Sequence, residues 1–381
     1  VLEGKNRRQP AQILIQTTTQ RTCAMKLVAI FLIGLMSVLS GCASVQPGGA
    51  AYSEESESDL FQPETFESYG SFVVSAGTDA KPVDMRLWYS RPDQITADTR
   101  VIMVMHGGRR DADKYRDYWG AYAKQYGVLI VAPEISEKDF PTGWGYQTGN
   151  WVTPDSDSTD ETKGERVPVE QTSFAAFERA FDELKKHFNL NAATYDIWGH
   201  GSGAQFVTRM IMLYPQARIG TGIAANSGTY TFPDWTLPLR YGLKNTGIEP
   251  EDLKESYKHH LVIMLGTDDD DTSHRLLSQL EIAKAQGAHR LEKGKNFYRV
   301  NKEQAEQLNT EYNWELQTVY GIGHSGRKMS EAGAEYLLEG KTEEPLFTDD
   351  LQVNESYRSD DDSREENELL KGSDDGEESP F

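Results

Sequence analysis

The sequence predicts an α/β domain built on a doubly wound, mostly parallel sheet. Three observations carry that expectation. Strand-like runs recur at residues 101–105, 128–132, 195–198, 219–225, 261–265 and 316–320, and the first is apolar throughout, as a strand buried on both faces requires. Segments with helical spacing of apolar residues separate them, so strand and helix alternate. One junction, Thr194-Tyr-Asp-Ile-Trp-Gly199-His200-Gly201-Ser202-Gly203-Ala204-Gln205-Phe206, runs from an apolar stretch through a glycine cluster straight into a helical pattern.

Size and charge bound what surrounds that domain. The chain has 381 residues, a net charge of −21 and 38% hydrophobic residues, enough for one sizeable core plus tails. So acidic a chain is not expected to bind nucleic acid, because phosphate contacts need clustered Lys and Arg. Both cysteines, Cys23 and Cys42, lie near the start, which leaves the body without a disulfide framework or a thiolate metal site. No cofactor or metal is expected.

Taken in order, residues 1–24 are polar and unpatterned and precede Met25, so they read as an upstream extension outside the fold. Residues 25–41 form a secretory signal: Lys26, an apolar run over 27–39, then small residues. That run is too short to span about 30 Å of hydrocarbon. Its Leu39-Ser40-Gly41-Cys42 ending resembles the lipobox of bacterial lipoproteins, which implies lipidation at Cys42 and attachment to the membrane of a bacterial cell envelope. Ala43 and Ser44 lack the Asp that resembles an inner-membrane retention signal, so the outer membrane is favoured. Residues 42–63 read as a flexible tether.

The domain proper is expected over 64–340. It opens with strand-like runs at 71–76 and 83–89, separated by Gly77 and Pro82, a hairpin pattern. The 101–105 strand leads into His106-Gly107-Gly108-Arg109-Arg110 and a helical pattern through Tyr115, Tyr118, Trp119 and Tyr122. After the 128–132 strand comes a long loop, 134–168, of a length that is usually functional. Phe174, Phe177, Ala180, Phe181 and Leu184 then mark an amphipathic helix. From residue 341 to the end, fifteen Asp and Glu face four Lys and Arg, a net of −11, which reads as a solvated, disordered tail.

The glycine-rich junction has the setting of a nucleophile elbow, G-x-S-x-G, in which small residues stand two places either side of a strained central residue. Those places are Gly199 and Gly203, and the centre is Gly201. Ser202 sits one position late. In a serine hydrolase of this fold an acid and then a histidine follow the nucleophile along the chain. Downstream, one strand ends in Gly266-Thr267-Asp268-Asp269-Asp270-Asp271 and the last in Gly321-Ile322-Gly323-His324. His259 and His260 precede their strand, at the wrong end of the sheet, and read as structural. His106-Gly107-Gly108 fits the second oxyanion donor, an N–H near Gly108 or Arg109 paired with the N–H of Ser202.

Residues 101–338 resemble an α/β-hydrolase of the poly(3-hydroxybutyrate) depolymerase and feruloyl-esterase-like group. The segments that carry the resemblance are MHGGRRDADKYRDYW (105–119), VAPEI (131–135), GYQTGNW (145–151), YDIWGHGSGAQFVTRM (195–210), AANSGTYTFP (224–233), MLGTDDDD (264–271) and YGIGHSGRKM (320–329). The family reads Gly-His-Ser-x-Gly at the elbow, which implies a nucleophile where Gly201 stands, with Asp269 as acid and His324 as base. It also implies a small ester or polyester-like substrate.

Three readings of the elbow follow. Ser202 serves as a displaced nucleophile, although that puts bulky His200 where the turn wants a small residue, and a serine starting a helix more readily caps its backbone. Or the site has lost the serine mechanism and binds a ligand. Or His324 activates water directly. A dinucleotide-binding reading of Gly199-x-Gly201-x-x-Ala204 fails, because the next strand ends at Ala225-Asn226-Ser227 without the carboxylate a ribose needs. Trp144, Tyr146, Asn150, Trp151 and residues 230–235 place aromatics where they either wall a cleft or pack loops onto the body. The acidic surface disfavours a polyanionic substrate.

Overall fold

The computed structural model describes residues 68–154 and 164–342. The signal, Cys42, the tether and the acidic segment from 343 lie outside the described residues. Strands β1 (Tyr69–Ser75) and β2 (Asp84–Ser90) form the expected antiparallel hairpin. After β3 (Val101–Met105) come α1 (Ala112–Tyr126), β4 (Leu129–Glu134), the short α2 (Thr142–Tyr146) and α3 (Ser173–Phe188). Strand β5 (Tyr195–His200) leads into α4 (Ser202–Leu213), and β6 (Ile219–Ala225) is followed by α5 (Pro250–Lys258). The chain continues through β7 (His260–Gly266), α6 (Glu281–Lys284), α7 (Arg290–Gln307), β8 (Trp314–Val319) and α8 (Gly326–Ala334).

The eight strands lie in the order β1-β2-β4-β3-β5-β6-β7-β8. Strand β2 pairs antiparallel with β1 and β4, and every pair from β4 to β8 is parallel. Strand residues alternate between two apolar layers, as the two-residue period of a strand dictates. Ile102, Val104, Ile130, Trp198, Val262 and Met264 pack with Trp119 of α1 and Met329 of α8. On the other face Met103, Met105, Val131, Ile197 and Ile263 pack with Phe177 and Phe181 of α3, Phe206 and Met210 of α4 and Phe297 of α7. Burial on both faces explains why the central strands read as continuous apolar runs rather than alternating ones.

The helices start and stop on local signals. Thr172 accepts a hydrogen bond from the Ala175 N–H (3.2 Å) at the start of α3, and left-handed Asn189 ends it. Gly127, at φ 66°, ends α1. Among the described residues no helix is long and apolar enough to cross a membrane. The parallel arrangement brings the carboxyl ends of β3, β5, β6, β7 and β8 to one edge, where ligands of open α/β sheets bind.

Candidate active site

Gly201 alone makes the turn between β5 and α4, at φ 55° and ψ −109°. That backbone is left-handed in φ and suits glycine best. A Cβ built on Gly201 would lie 3.5 Å from His324 Nε2 and touch nothing closer. The flanking glycines are needed for close approach. A Cβ on Gly199 would come within 2.4 Å of the Gly203 carbonyl carbon, and one on Gly203 within 2.8 Å of the Met105 oxygen.

Ser202 does not cap the helix, contrary to expectation. Gly201 holds the N-cap position and Ser202 is the first helical residue, so its hydroxyl is not set to reach the following N–H groups. Instead Ser202 Oγ accepts from Gln147 Nε2 (2.8 Å). It faces Gly108, where an added Cβ would lie 3.2 Å from it. Ser202 and His324 share no hydrogen bond. Gly201, not Ser202, therefore faces the histidine.

The turn after β3 is held from below. Buried His106 donates from Nδ1 to the Gly107 oxygen (2.8 Å) and accepts the Ile135 N–H at Nε2 (3.1 Å), which requires the neutral ring. Burial pushes its pKa down to about 3, consistent with that role. Tyr146 donates its hydroxyl to the His106 oxygen (2.5 Å). Arg110 reaches the Phe140 (3.0 Å) and Thr142 (2.8 Å) oxygens and lies over the Tyr146 ring. Among the described residues the N–H groups of exposed Gly108 and Arg109 make no backbone hydrogen bond, whereas Arg110 N returns to the Gly107 oxygen (3.3 Å).

Of the four consecutive aspartates only Asp269 turns inward, 2% exposed. Its Oδ2 accepts from His324 Nδ1 (2.8 Å) and its Oδ1 from Arg290 Nη1 (3.1 Å). Burial works to raise the Asp269 carboxyl, but the His324 hydrogen bond and the charges of His324 and Arg290 hold it below its ordinary value. The turns that carry the pair are laced together. Asp268 N–H donates to the Ile322 oxygen (3.1 Å) and Gly321 N–H to Thr267 Oγ1 (2.8 Å). Asn226, at φ 49°, donates to the Gly323 oxygen (3.0 Å) and accepts the Gly266 N–H (2.8 Å), tying β6 to both turns.

Two further imidazoles crowd His324. His200 is buried with its ring centroid 4.5 Å away, and burial, then the charge of His324, keep its pKa well below the ordinary value. His274 stands edge-on at 5.2 Å and accepts from Arg290 Nη2 (3.1 Å). Burial and Arg290 push it down to about 4. Both neighbours are therefore neutral near pH 7. Among the described residues no group of three or more His, Cys, Asp or Glu is placed to hold a metal ion.

Sequence reasoning missed Arg290, Asn226 and Gln147, because each acts through a contact across the fold that no local pattern announces. It also left the aromatics open between two roles, and the structure assigns most of them to packing. Trp144, Tyr146, Trp151 and Tyr230 are buried, and Trp151 and Trp235 spend their indole N–H groups on the Thr246 and Ile248 oxygens (2.9 and 2.8 Å). His259 and His260 hold the lower edge of the sheet, bonding the Pro215 oxygen (2.6 Å) and Glu315 (3.0 Å).

No protein-family model and no curated protein matches the chain. Solved structures do. Poly(aspartic acid) hydrolase-1 from Sphingomonas sp. KT-1 is 37% identical over 71% of this chain and 98% of its own, with a TM-score of 0.64. A poly(3-hydroxybutyrate) depolymerase from Bordetella parapertussis is 27% identical over 72% of this chain and 90% of its own, with a TM-score of 0.65. With the sheet order and elbow described above, the chain belongs to the α/β-hydrolase superfamily, in the family of poly(aspartic acid) hydrolase-1.

Proposed function

We propose that this protein binds acyl-linked oligomers or polymers in a hydrolase site that does not run the covalent serine step. The observation that carries the reading is the position of Gly201. Its Cα presents the point from which a nucleophile would reach His324 Nε2, while Asp269 and His324 keep their 2.8 Å hydrogen bond. In this reading His324 is the base and Asp269 orients it. Gly108, Arg109 and Ser202 offer backbone N–H groups to a carbonyl oxygen. Ser202 keeps its hydroxyl for Gln147. The substrate class draws on the two similar structures, named for poly(aspartic acid) and poly(3-hydroxybutyrate).

Slow hydrolysis by water that His324 deprotonates is the second reading, favoured by a base aimed at the same point. The two differ in turnover and agree in having no acyl-enzyme. The test is pre-steady-state hydrolysis of an activated ester by the wild type. The proposal expects no burst, and turnover unchanged in Ser202→Ala within about threefold, against the order of 10⁶ lost with a triad serine. A stoichiometric burst that Ser202→Ala abolishes overturns it.

We further propose that the mature protein begins at Cys42, carries lipid there and is held in the outer membrane of a bacterial envelope. The support is the Leu39-Ser40-Gly41-Cys42 sequence after its apolar run.

A further inference from the structure

A cavity of about 430 Å³, within the size range of small-molecule sites, lies between the β1–β2 hairpin and α1. Ser90, which lines it, ends β2 and pairs with Ile130, the second residue of β4. The cavity therefore sits by the amino ends of the parallel strands, whereas the elbow lies past their carboxyl ends. Ser68, where the described body begins, also lines it.

Two side chains that are more than nine-tenths buried bring unspent groups to this cavity. Arg116, 7% exposed, gives Nε to Asp117 (2.6 Å) and Nη1 to the Gly70 and Tyr89 oxygens (3.5 and 3.4 Å). Its Nη2 has no partner among the described residues. The guanidinium lies over the rings of Tyr69 (5.5 Å) and Trp88 (5.7 Å), which hold it in place. Ser90, 5% exposed, makes no side-chain hydrogen bond among the described residues. Gly120 leaves that hydroxyl open, since a Cβ there would lie 3.1 Å from Ser90 Oγ. Glycine is disfavoured inside a helix relative to alanine, so α1 keeps this opening against its own propensity. Two more cations complete the lining. Lys124 Nζ reaches Asp93 at 3.2 Å, but both side chains are more than half exposed, and so open a pair yields readily to a better partner. Arg91 places Nη1 on the Pro92 and Asp93 oxygens (3.1 and 3.3 Å). The lining thus sets three cations against the single carboxylate of Asp117, in a chain whose net charge is −21.

We propose that this cavity binds a phosphate ester of a small polyol, with the phosphoryl group on Arg116 Nη2, Ser90 Oγ and Lys124 Nζ. A phosphomonoester brings nearly two negative charges and three acceptor oxygens. Those suit a guanidinium, an ammonium and a hydroxyl better than the one charge and two oxygens of a carboxylate. The phosphoryl group fills only part of the space, and the polyol takes the rest, along the exposed ring of Tyr69. A free glycerol or sugar phosphate and a phospholipid headgroup share this chemistry. The headgroup is a fitting source because the segment that follows the proposed lipid anchor joins the body at this cavity. The site goes beyond the proposed function and does not rest on it.

The test is a ligand-observed NMR titration of the full chain with sn-glycerol 3-phosphate, with glycerol and glycerate as controls. Glycerol 3-phosphate should bind, glycerate more weakly, and glycerol not at all. Arg116→Met, Lys124→Glu and Gly120→Ala should each weaken glycerol 3-phosphate at least about tenfold with the circular dichroism unchanged, the loss expected for one charge-assisted contact. Arg116 also holds two strand oxygens, so the other two variants decide the matter if Arg116→Met unfolds. Gly120→Ala favours the helix and closes only on the Ser90 hydroxyl. A parallel titration with glycerophosphoglycerol, the soluble headgroup of phosphatidylglycerol, separates the sources. Binding as tight as that of the monoester supports a lipid headgroup, and much weaker binding supports a free phosphate ester. No binding of glycerol 3-phosphate to wild type overturns the proposal, as does equal affinity in the folded variants or for glycerate. The titration involves neither turnover nor the elbow. Its failure leaves the proposed function standing, and a labelled Ser202 leaves this site standing.

Discussion

At the scale of single residues, the site depends on what stands at 201 and on what holds Asp269. Gly201→Ser would add a hydroxymethyl group whose Cβ has room, at 3.5 Å from the nearest atom. The left-handed backbone makes the change strained, a cost of about 1–3 kcal/mol. Activity on an activated ester should nevertheless rise by several orders of magnitude, since oxyanion donors and binding alone retain only about 10³–10⁴ over water. The Asp269–Arg290 pair is a structural commitment as well. Asp269→Asn leaves a buried guanidinium without its counter-charge, and urea unfolding should show a loss of about 3–5 kcal/mol near pH 7. The sign with pH follows from the lowered carboxyl. Its stabilisation is present above the ordinary value of 3.8 and lost as pH falls through the lower folded value. The gap between wild type and Asp269→Asn should therefore narrow in acid. A gap that stays constant down to the acid limit of folding would contradict the lowered pKa.

At the scale of elements, the elbow is a close packing of β5 on α4 and of α4 on the end of β3. Neither partner of Gly199 or Gly203 is a flexible side-chain tip. Both near contacts are backbone atoms, at 2.4 and 2.8 Å from an added Cβ. Gly199→Ala and Gly203→Ala should each cost about 1–3 kcal/mol, seen as a lower denaturant midpoint with an unchanged m-value. This level was the most legible in the sequence. Strands such as 101–105 and 261–265 are apolar on both faces, and α3 carries its phenylalanines at helical spacing. The order elbow, acid, histidine could be read along the chain because each lies just past a strand's carboxyl end. Residues 134–168 were less legible. The five-residue α2 is too short to show a period, and Trp144 and Tyr146 look alike in sequence whether they wall a cleft or fill a core. Arg290 was illegible for a further reason. It is a charged residue at the start of a helix rich in charged residues, and only the fold brings it onto Asp269.

At the scale of the whole molecule, the hydrolase body lies between two segments of different composition. The segment after Thr342 is strongly acidic with little apolar periodicity, so truncation there should shift Tm by less than about 4 °C, near 1 kcal/mol for a domain of this size. A larger drop would mean that the segment docks on the body. Cys42→Ala should move the protein from the membrane to the soluble fraction of expressing cells. Equal partitioning of the variant and the wild type would remove the lipid anchor from the account. What the body does is decided at the elbow. Intact mass after reaction with a fluorophosphonate, on wild type and Gly201→Ser in parallel, is the most direct measurement. The account predicts no adduct on wild type and one adduct per chain on Gly201→Ser, at residue 201. An adduct on wild-type Ser202, or none on a folded Gly201→Ser, would contradict it.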